Sequence, residues 1–327
     1  RYAAHLIGKG EEPAHPVPLP RAGIYLAGKA APDIAQLKAS WRDPERPVAA
    51  ITFYRALVQG AQTAPLDALI AALDKAGVNA LPIYVSSLKE AESVAVLESL
   101  FDEAPPDVVL NGTAFAVSKA GAAHQPTPLD RPGKPVLQVV FSSSSKEGWE
   151  DSDQGLSIRD LAMHVVLPEI DGRILTRAVS FKEEGIFDEA TQSTPVAFTP
   201  VPDRIMFTAA LAAAWGKLGR KPAAAKKSAL ILANYPNRDG RLANGVGLDT
   251  PASCVHLLKA MAAEGYDAGR VPASSADLMD ILTSGVTNAL EGRTAKEEYQ
   301  ALSLQDYERS FNKLPDVVRS AVVDRWG

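Results

Sequence analysis

Val48-Ala-Ala-Ile-Thr-Phe-Tyr54, then Leu66-Asp-Ala-Leu-Ile-Ala-Ala-Leu-Asp-Lys-Ala76 closed by Gly77, then Ala80-Leu-Pro-Ile-Tyr-Val85, is the stretch that decides the fold. The first run is apolar and rich in β-formers without polar alternation, as in a strand covered on both faces. The second is apolar at helical spacing and stops at a glycine in a C-cap position. The third is again a short apolar run. Strand, helix and strand in that order form a crossover, which pairs the two strands in parallel and lays the helix on one face of the sheet.

The same signals extend outward. Residues 91–101 read as a helix, 107–111 and 136–141 as strands, and 208–218 as a helix. Residues 159–167 are apolar in their second half and fit either a strand or a short buried helix. The opening pattern then returns: Ser228-Ala-Leu-Ile-Leu-Ala-Asn-Tyr235, a Gly-rich loop, a helix from about Pro251 to Glu264, Gly265, and Tyr266 to Val271. The sequence therefore predicts an α/β protein with two Rossmann-like parallel-sheet domains facing a cleft, within a larger multidomain chain. The expected boundaries are an extended N-terminal segment 1–45, with four prolines between Glu11 and Pro20, and a first α/β domain 46–218 carrying the Trp149–Gly172 region as an insertion. A linker 219–227 and the start of a second α/β domain, 228–327, follow. Ligands of open α/β sheets sit beyond the carboxyl ends of the strands, so the loops after the first strand of each unit should face the ligand.

Composition narrows the function classes. Of 327 residues, 46% are hydrophobic and 22% charged, which suits a packed core, and the net charge of −5 argues against a nucleic-acid footprint. The densest basic run, Lys217 to Lys227, is broken by glycine, proline and alanines and fits a solvated linker. No window reaches the roughly 18 apolar residues of a membrane span, and the first ten residues lack a signal-peptide core. The one cysteine, Cys254, excludes an internal disulfide and any cysteine-based metal site, in keeping with a cytoplasmic location. The chain opens on Arg1 and stops at Trp326-Gly327 after an amphipathic stretch, so it is expected to be a piece of a longer polypeptide.

Two constellations carry chemistry. The loop from Asn234 through Tyr235, Arg238 and Asp239 to Gly245, Gly247, Asp249 and Thr250 opens directly into a helix. Such a loop can bring backbone N–H groups and a helix N-terminus to an anion, with Asp249 or Thr250 as N-cap. It equally fits a long surface loop with turn glycines. It lacks the third glycine of a dinucleotide fingerprint, and no Walker A sequence occurs in the chain. The second constellation runs from Trp149 and Gln154 to His164 and Leu167-Pro-Glu-Ile-Asp-Gly172. If it is extended, Glu169 and Asp171 point to one side, with His164 able to join them, and two such carboxylates can bind a divalent ion or accept protons. A plain turn beside a core histidine fits the same residues. His5, His15, His124 and His256 match no metal spacing, and Phe141-Ser-Ser-Ser-Ser145 lacks a nucleophile elbow.

In this order, Phe53-Tyr-Arg55, Leu66-Asp-Ala-Leu-Ile70, Gln154-Gly-Leu156, Leu167-Pro-Glu-Ile-Asp-Gly172, Asn234-Tyr-Pro236, Asp239-Gly240 and Gly247-Leu-Asp-Thr-Pro251 resemble the large subunit of aerobic cobaltochelatase, the CobN family. They resemble the large subunit of magnesium chelatase more distantly. The resemblance runs from about residue 45 to the end. It implies ATP-dependent insertion of Co²⁺, a substrate ion, into the corrin hydrogenobyrinic acid a,c-diamide in cobalamin biosynthesis. ATP would be hydrolysed by separate AAA+-type subunits, consistent with the missing Walker A motif. On this reading Glu169 accepts protons or delivers the metal, with His164 as a further metal ligand and Asp171 assisting. Trp149, Tyr54 and Tyr235 would face the macrocycle, and Arg55 and Arg238 would pair with its carboxylate arms. Gln154, Asn234, Asp239, Gly245, Gly247, Asp249 and Thr250 complete the expected substrate side. Two other classes fit the duplicated units: a non-catalytic bilobal ligand-binding module, and a nucleotide-sugar transferase.

Overall fold

Seven strands form one sheet: β1 (Ala22–Ile24), β2 (Val48–Tyr54), β3 (Asn79–Val85), β4 (Val108–Asn111), β5 (Val136–Phe141), β6 (Ile174–Glu184) and β7 (Val196–Pro200). Their order is β1-β3-β2-β4-β5-β6-β7. The five inner strands run parallel, and β1 and β7 close the two edges antiparallel. This is a computed structural model, and it describes every residue except 1, 13–17, 120, 122, 124, 190–191, 236–238, 288, 290–291 and 299–300. The chain divides into two compact units, residues 1–220 and 221–327.

Strand alternation distributes the apolar side chains between two cores. Ala49, Ile51 and Phe53 of β2 pack on one face against Leu66, Leu69 and Leu73 of the helix Ala64–Lys75, and against Ile205, Ala209 and Ala212 of the helix Pro202–Arg220. Ala50 of β2, with Leu81, Ile83 and Val109, meets Leu97, Leu100 and Phe101 of the helix Ala91–Glu103 on the other face. Each fully buried leucine or phenylalanine contributes about 1.5–3 kcal/mol, so these side chains dominate the fold.

The α/β class and the mostly parallel sheet are as the sequence predicts, but three expectations change. Strands β1, β6 and β7 carry too little apolar pattern to be seen beforehand; β6 includes Arg177, Lys182, Glu183 and Glu184. The ambiguous 159–167 segment is helical: the helix Ile158–Leu161 runs into a π-helical turn, Ala162–Val166, and on into Leu167–Ile170. The repeated unit forms only its helix, Thr250–Ala263. Ser228–Tyr235 makes one isolated bridge, Asn234 to Leu242, and no strand forms among the described residues of 221–327. A strand needs a neighbour to bond its backbone. Among the described residues none lies beside Ser228–Tyr235, Leu230 and Ile231 are exposed, and the parallel sheet is present once rather than twice. No helix among the described residues is long and apolar enough to cross a membrane.

Candidate functional site

Strands β2, β4 and β5 end on the same side of the sheet, and a buried polar ladder fixes their carboxyl ends. Thr52 Oγ1 donates to Asn111 Oδ1 (2.9 Å), Asn111 Nδ2 donates to Gln138 Oε1 (2.8 Å), and Gln138 Nε2 donates to the Thr113 carbonyl (2.8 Å). All four residues are buried. Buried amides and hydroxyls must be partnered, so this network dictates where the 112–117 loop leaves the sheet. Beside it the β5–β6 register shifts between Gln138 and Phe141, an irregularity common next to functional sites. Gly112 lies so close to the Phe141 ring that a Cβ there would sit 2.4 Å from it.

A cavity of about 520 Å³ opens above these strand ends. Tyr54 and Arg55 enter it from the end of β2, Ala114 and Phe115 from the loop after β4, Ser143 from beyond β5, and Arg159, Asp160 and His164 from the helical stretch. The Tyr54 hydroxyl donates to the Ala114 carbonyl and accepts from the Ala114 N–H, both at 3.1 Å, and burial raises its pKa, so it stays a neutral phenol. Arg55 donates from Nη2 to the Leu19 carbonyl (2.7 Å), while its Nε is buried with no partner among the described residues. Phe115 holds a left-handed φ of 67°, costly for a bulky residue and typical of sites that over-determine their backbone. Its N–H donates to the Met163 carbonyl of the π-turn (2.9 Å).

Asp160 and His164 form the polar centre of the cavity. Asp160 is 1% exposed and accepts from Ser142 Oγ (2.7 Å), Ser143 Oγ (2.9 Å) and the Ser143 N–H (3.0 Å). Burial alone would raise its pKa, but these donors and the nearby imidazole outweigh burial and hold it below the usual carboxylate value. His164 Nε2 lies 3.9 Å from Asp160 Oδ1, and its Nδ1 is buried without a partner among the described residues. Burial pushes its pKa down; Asp160 opposes that and Arg159 adds to it. The imidazole is therefore neutral near pH 7, with a lone pair free to accept a proton or meet a metal ion. Among the described residues no three His, Cys, Asp or Glu side chains converge on a metal position.

A family model described as CobN/Magnesium Chelatase matches residues 1–327. The chain belongs to the CobN/magnesium chelatase family. It is 48% identical, over its whole length, to the aerobic cobaltochelatase subunit CobN of Sinorhizobium sp, covering 26% of that protein. It is 40% identical over 99% of its length to the protein of the same name from Pseudomonas aeruginosa, again covering 26%. The catalytic subunit of cobaltochelatase from Mycobacterium tuberculosis superposes with a TM-score of 0.74 at 29% identity, over 100% of this chain and 26% of that one. The chain thus spans about a quarter of the length of these relatives.

Within this family member the residues singled out from sequence separate. Tyr54, Arg55 and His164 meet at the one cavity. Glu169 and Asp171 do not share a side, because the segment is helical where an extended one would have aligned them. Glu169 is exposed and outside the cavity lining, whereas Asp171 is buried, its carboxylate accepting from the Val117 N–H (2.7 Å), the Ser118 N–H (2.9 Å) and Arg173 Nη2 (2.7 Å). Asp171 therefore anchors the 112–118 loop. The Trp149 ring lies 5.2 Å from that of Phe181 at an interplanar angle of 34°, with the Arg204 guanidinium over it, and Gln154 is exposed on a turn; neither lines the cavity.

The remaining candidates belong to the 221–327 unit. Asp249 is the N-cap of Thr250–Ala263, accepting from the Ala252 N–H (3.0 Å). Its carboxylate thus occupies the helix N-terminus where an anion was expected. Gly245 and Gly247 shape the turn: a Cβ at Gly245 would meet Thr250 Oγ1 at 2.7 Å, and Gly247 has φ of 75°. Asp239 Oδ2 accepts from Thr287 Oγ1 (2.9 Å), Tyr235 is exposed, and Asn234 bridges Leu242. Arg238, like His15 and His124, lies outside the described residues.

The sequence reading missed Asp160, Ser142, Ser143 and Arg173. The four-residue spacing of Asp160 and His164 was the available signal, but it has meaning only on a helix. The serine run lacks a nucleophile elbow, and its use as a set of donors appears only when the fold brings Asp160 against it.

Proposed function

We propose that this chain supplies the tetrapyrrole- and metal-handling cavity of a cobalt chelatase. The enzyme would insert Co²⁺ into hydrogenobyrinic acid a,c-diamide, with AAA+-type subunits hydrolysing the ATP. The observation that carries this reading is the neutral His164 beside the buried Asp160 carboxylate at the mouth of parallel strands, in a cavity within the usual range for ligand pockets, roughly 300–1,000 Å³.

Metal insertion needs an acceptor for the ring N–H protons and a donor that strips water from the cation without holding it. His164 can do either with its neutral nitrogen, and imidazole suits Co²⁺. Asp160 lowers the energy of the imidazolium formed when a proton is taken. A single imidazole donor in the cavity would leave most of the coordination sphere to water and ring nitrogens, so the ion could move on. Tyr54 and Phe115 offer apolar faces to the macrocycle, and Arg55 and Arg159 balance its carboxylates. Glu169, exposed nearby in sequence, is retained as the delivering carboxylate, with Asp171 holding the loop.

In the full-length subunit reconstituted with its ATPase partners, His164→Ala and Glu169→Ala should each abolish Co²⁺ insertion while corrin binding, followed by fluorescence quenching, survives. Normal turnover in His164→Ala removes that residue's role. Binding of a nucleotide sugar in place of a corrin overturns the chelatase reading.

A further inference from the structure

A side chamber of about 130 Å³ adjoins the main cavity, and Tyr54, Ala114 and Phe115 line both. Its wall includes Arg173, whose side chain is 1% exposed, and the Ser87–Lys89 turn that follows β3. Arg173 donates from Nη2 to Asp171 (2.7 Å) and from Nη1 to the Phe115 carbonyl (3.2 Å), but its buried Nε has no partner among the described residues. A buried N–H without an acceptor is an unmet hydrogen-bonding demand in a residue of the chamber's wall. Asp171 does not meet it: its Oδ2 accepts from the Val117 N–H and Arg173 Nη2, and its Oδ1 from the Ser118 N–H.

The rest of the wall points the same way. Lys89 is exposed with no carboxylate within 4.0 Å among the described residues, and the Ser87 hydroxyl accepts from the Lys89 N–H (3.1 Å), leaving its own proton to donate. The chamber wall thus includes one buried guanidinium, one exposed ammonium without an ion pair among the described residues, and one hydroxyl donor. Ligand pockets for whole small molecules run to roughly 300–1,000 Å³; this chamber has room for a side arm and not for a ring.

We propose that the chamber seats one carboxylate arm of the tetrapyrrole against Arg173, Lys89 and Ser87, while the ring lies in the main cavity. The chamber would then fix the rotation of the macrocycle about its own axis and decide which ring edge meets His164. This rests on the chelatase reading of the cavity. Arg173 is a poor first target because its loss strands Asp171; Lys89→Ala and Ser87→Leu leave that pair intact, and Ser87→Leu fills the chamber without changing charge.

The test is a fluorescence-quenching titration of the full-length subunit with a corrin carrying free carboxylates and with its fully methyl-esterified form. Thermal midpoints would establish that each variant is folded. Wild type should prefer the free acid, and both variants should lose about tenfold in affinity for the acid with little change for the ester. An equal loss for acid and ester, or no loss in either variant, overturns the side-arm site alone. Wild-type protein that binds neither form overturns the chelatase reading beneath it.

Discussion

Asp160 Oδ1 stands 3.9 Å from His164 Nε2, one turn along the same helical stretch, yet the carboxylate's short hydrogen bonds go to Ser142 and Ser143. The carboxylate is held by the end of β5 and acts on the imidazole through its field. His164 stays neutral while its protonated form is kept within reach, the balance a proton acceptor needs.

Asp160→Asn should therefore lower the pKa of His164 further, because the carboxylate is what opposes burial at that ring. An NMR titration of the imidazole carbon-bound protons reads this directly. A rise in the variant would mean that the field is not set by Asp160.

Removing the Ser142 hydroxyl takes one donor from a fully buried carboxylate. Ser142→Ala should cost about 1.5–3 kcal/mol, the range for a hydrogen bond to a charged group. The midpoint of denaturant unfolding measures it, and a change within error would deny the serine its role.

Asp171→Ala leaves Arg173 buried without its counter-ion and should cost about 3–5 kcal/mol. The pH dependence follows from the sign of the shift. Burial would raise the Asp171 pKa, but the Val117 and Ser118 N–H groups and Arg173 bring it below the usual carboxylate value. Its stabilisation is fully present above the unfolded-state pKa of about 3.9 and is lost as pH falls through the lower folded value. Between pH 7 and 3, Asp171→Asn should unfold with a flatter acid dependence than wild type.

Gly112→Ala forces a Cβ against the Phe141 ring. Overpacking of this kind costs about 1–3 kcal/mol and should displace the ring into the cavity. Phe141→Leu in the same chain should recover part of the loss, and a double-mutant cycle on thermal unfolding would show the coupling. Simple additivity would place the two residues out of contact.

How far the sequence disclosed this site depends on where each residue gets its neighbours. β2, its crossover helix and β3 were legible because buried parallel strands announce themselves by unbroken apolar runs. Tyr54 and Arg55 came from the family resemblance, and their place at the end of β2 agrees with where ligands of such sheets lie. β6 was not legible: its charged residues obscure the run, and its place is set by pairing with β5 from far along the chain. The shared side expected of Glu169 and Asp171 does not form, because a short apolar segment does not reveal its period and this one is helical. Ser228–Tyr235 has every local mark of a strand, but among the described residues no strand lies beside it and it makes one isolated bridge, Asn234 to Leu242.

The π-helical turn at Ala162–Val166 inserts one residue between the part of the helix that holds Asp160 and the part that leads to Asp171. Each residue of a helix turns it by about 100°. Deleting one residue there other than His164 would regularise the backbone and swing everything downstream by that angle, taking Asp171 off the Val117 amide while the cavity side chains were still encoded. Spacing between the cavity and anchoring groups is thus a property of chain length, and comparisons that score only residue identity would count such a deletion as harmless.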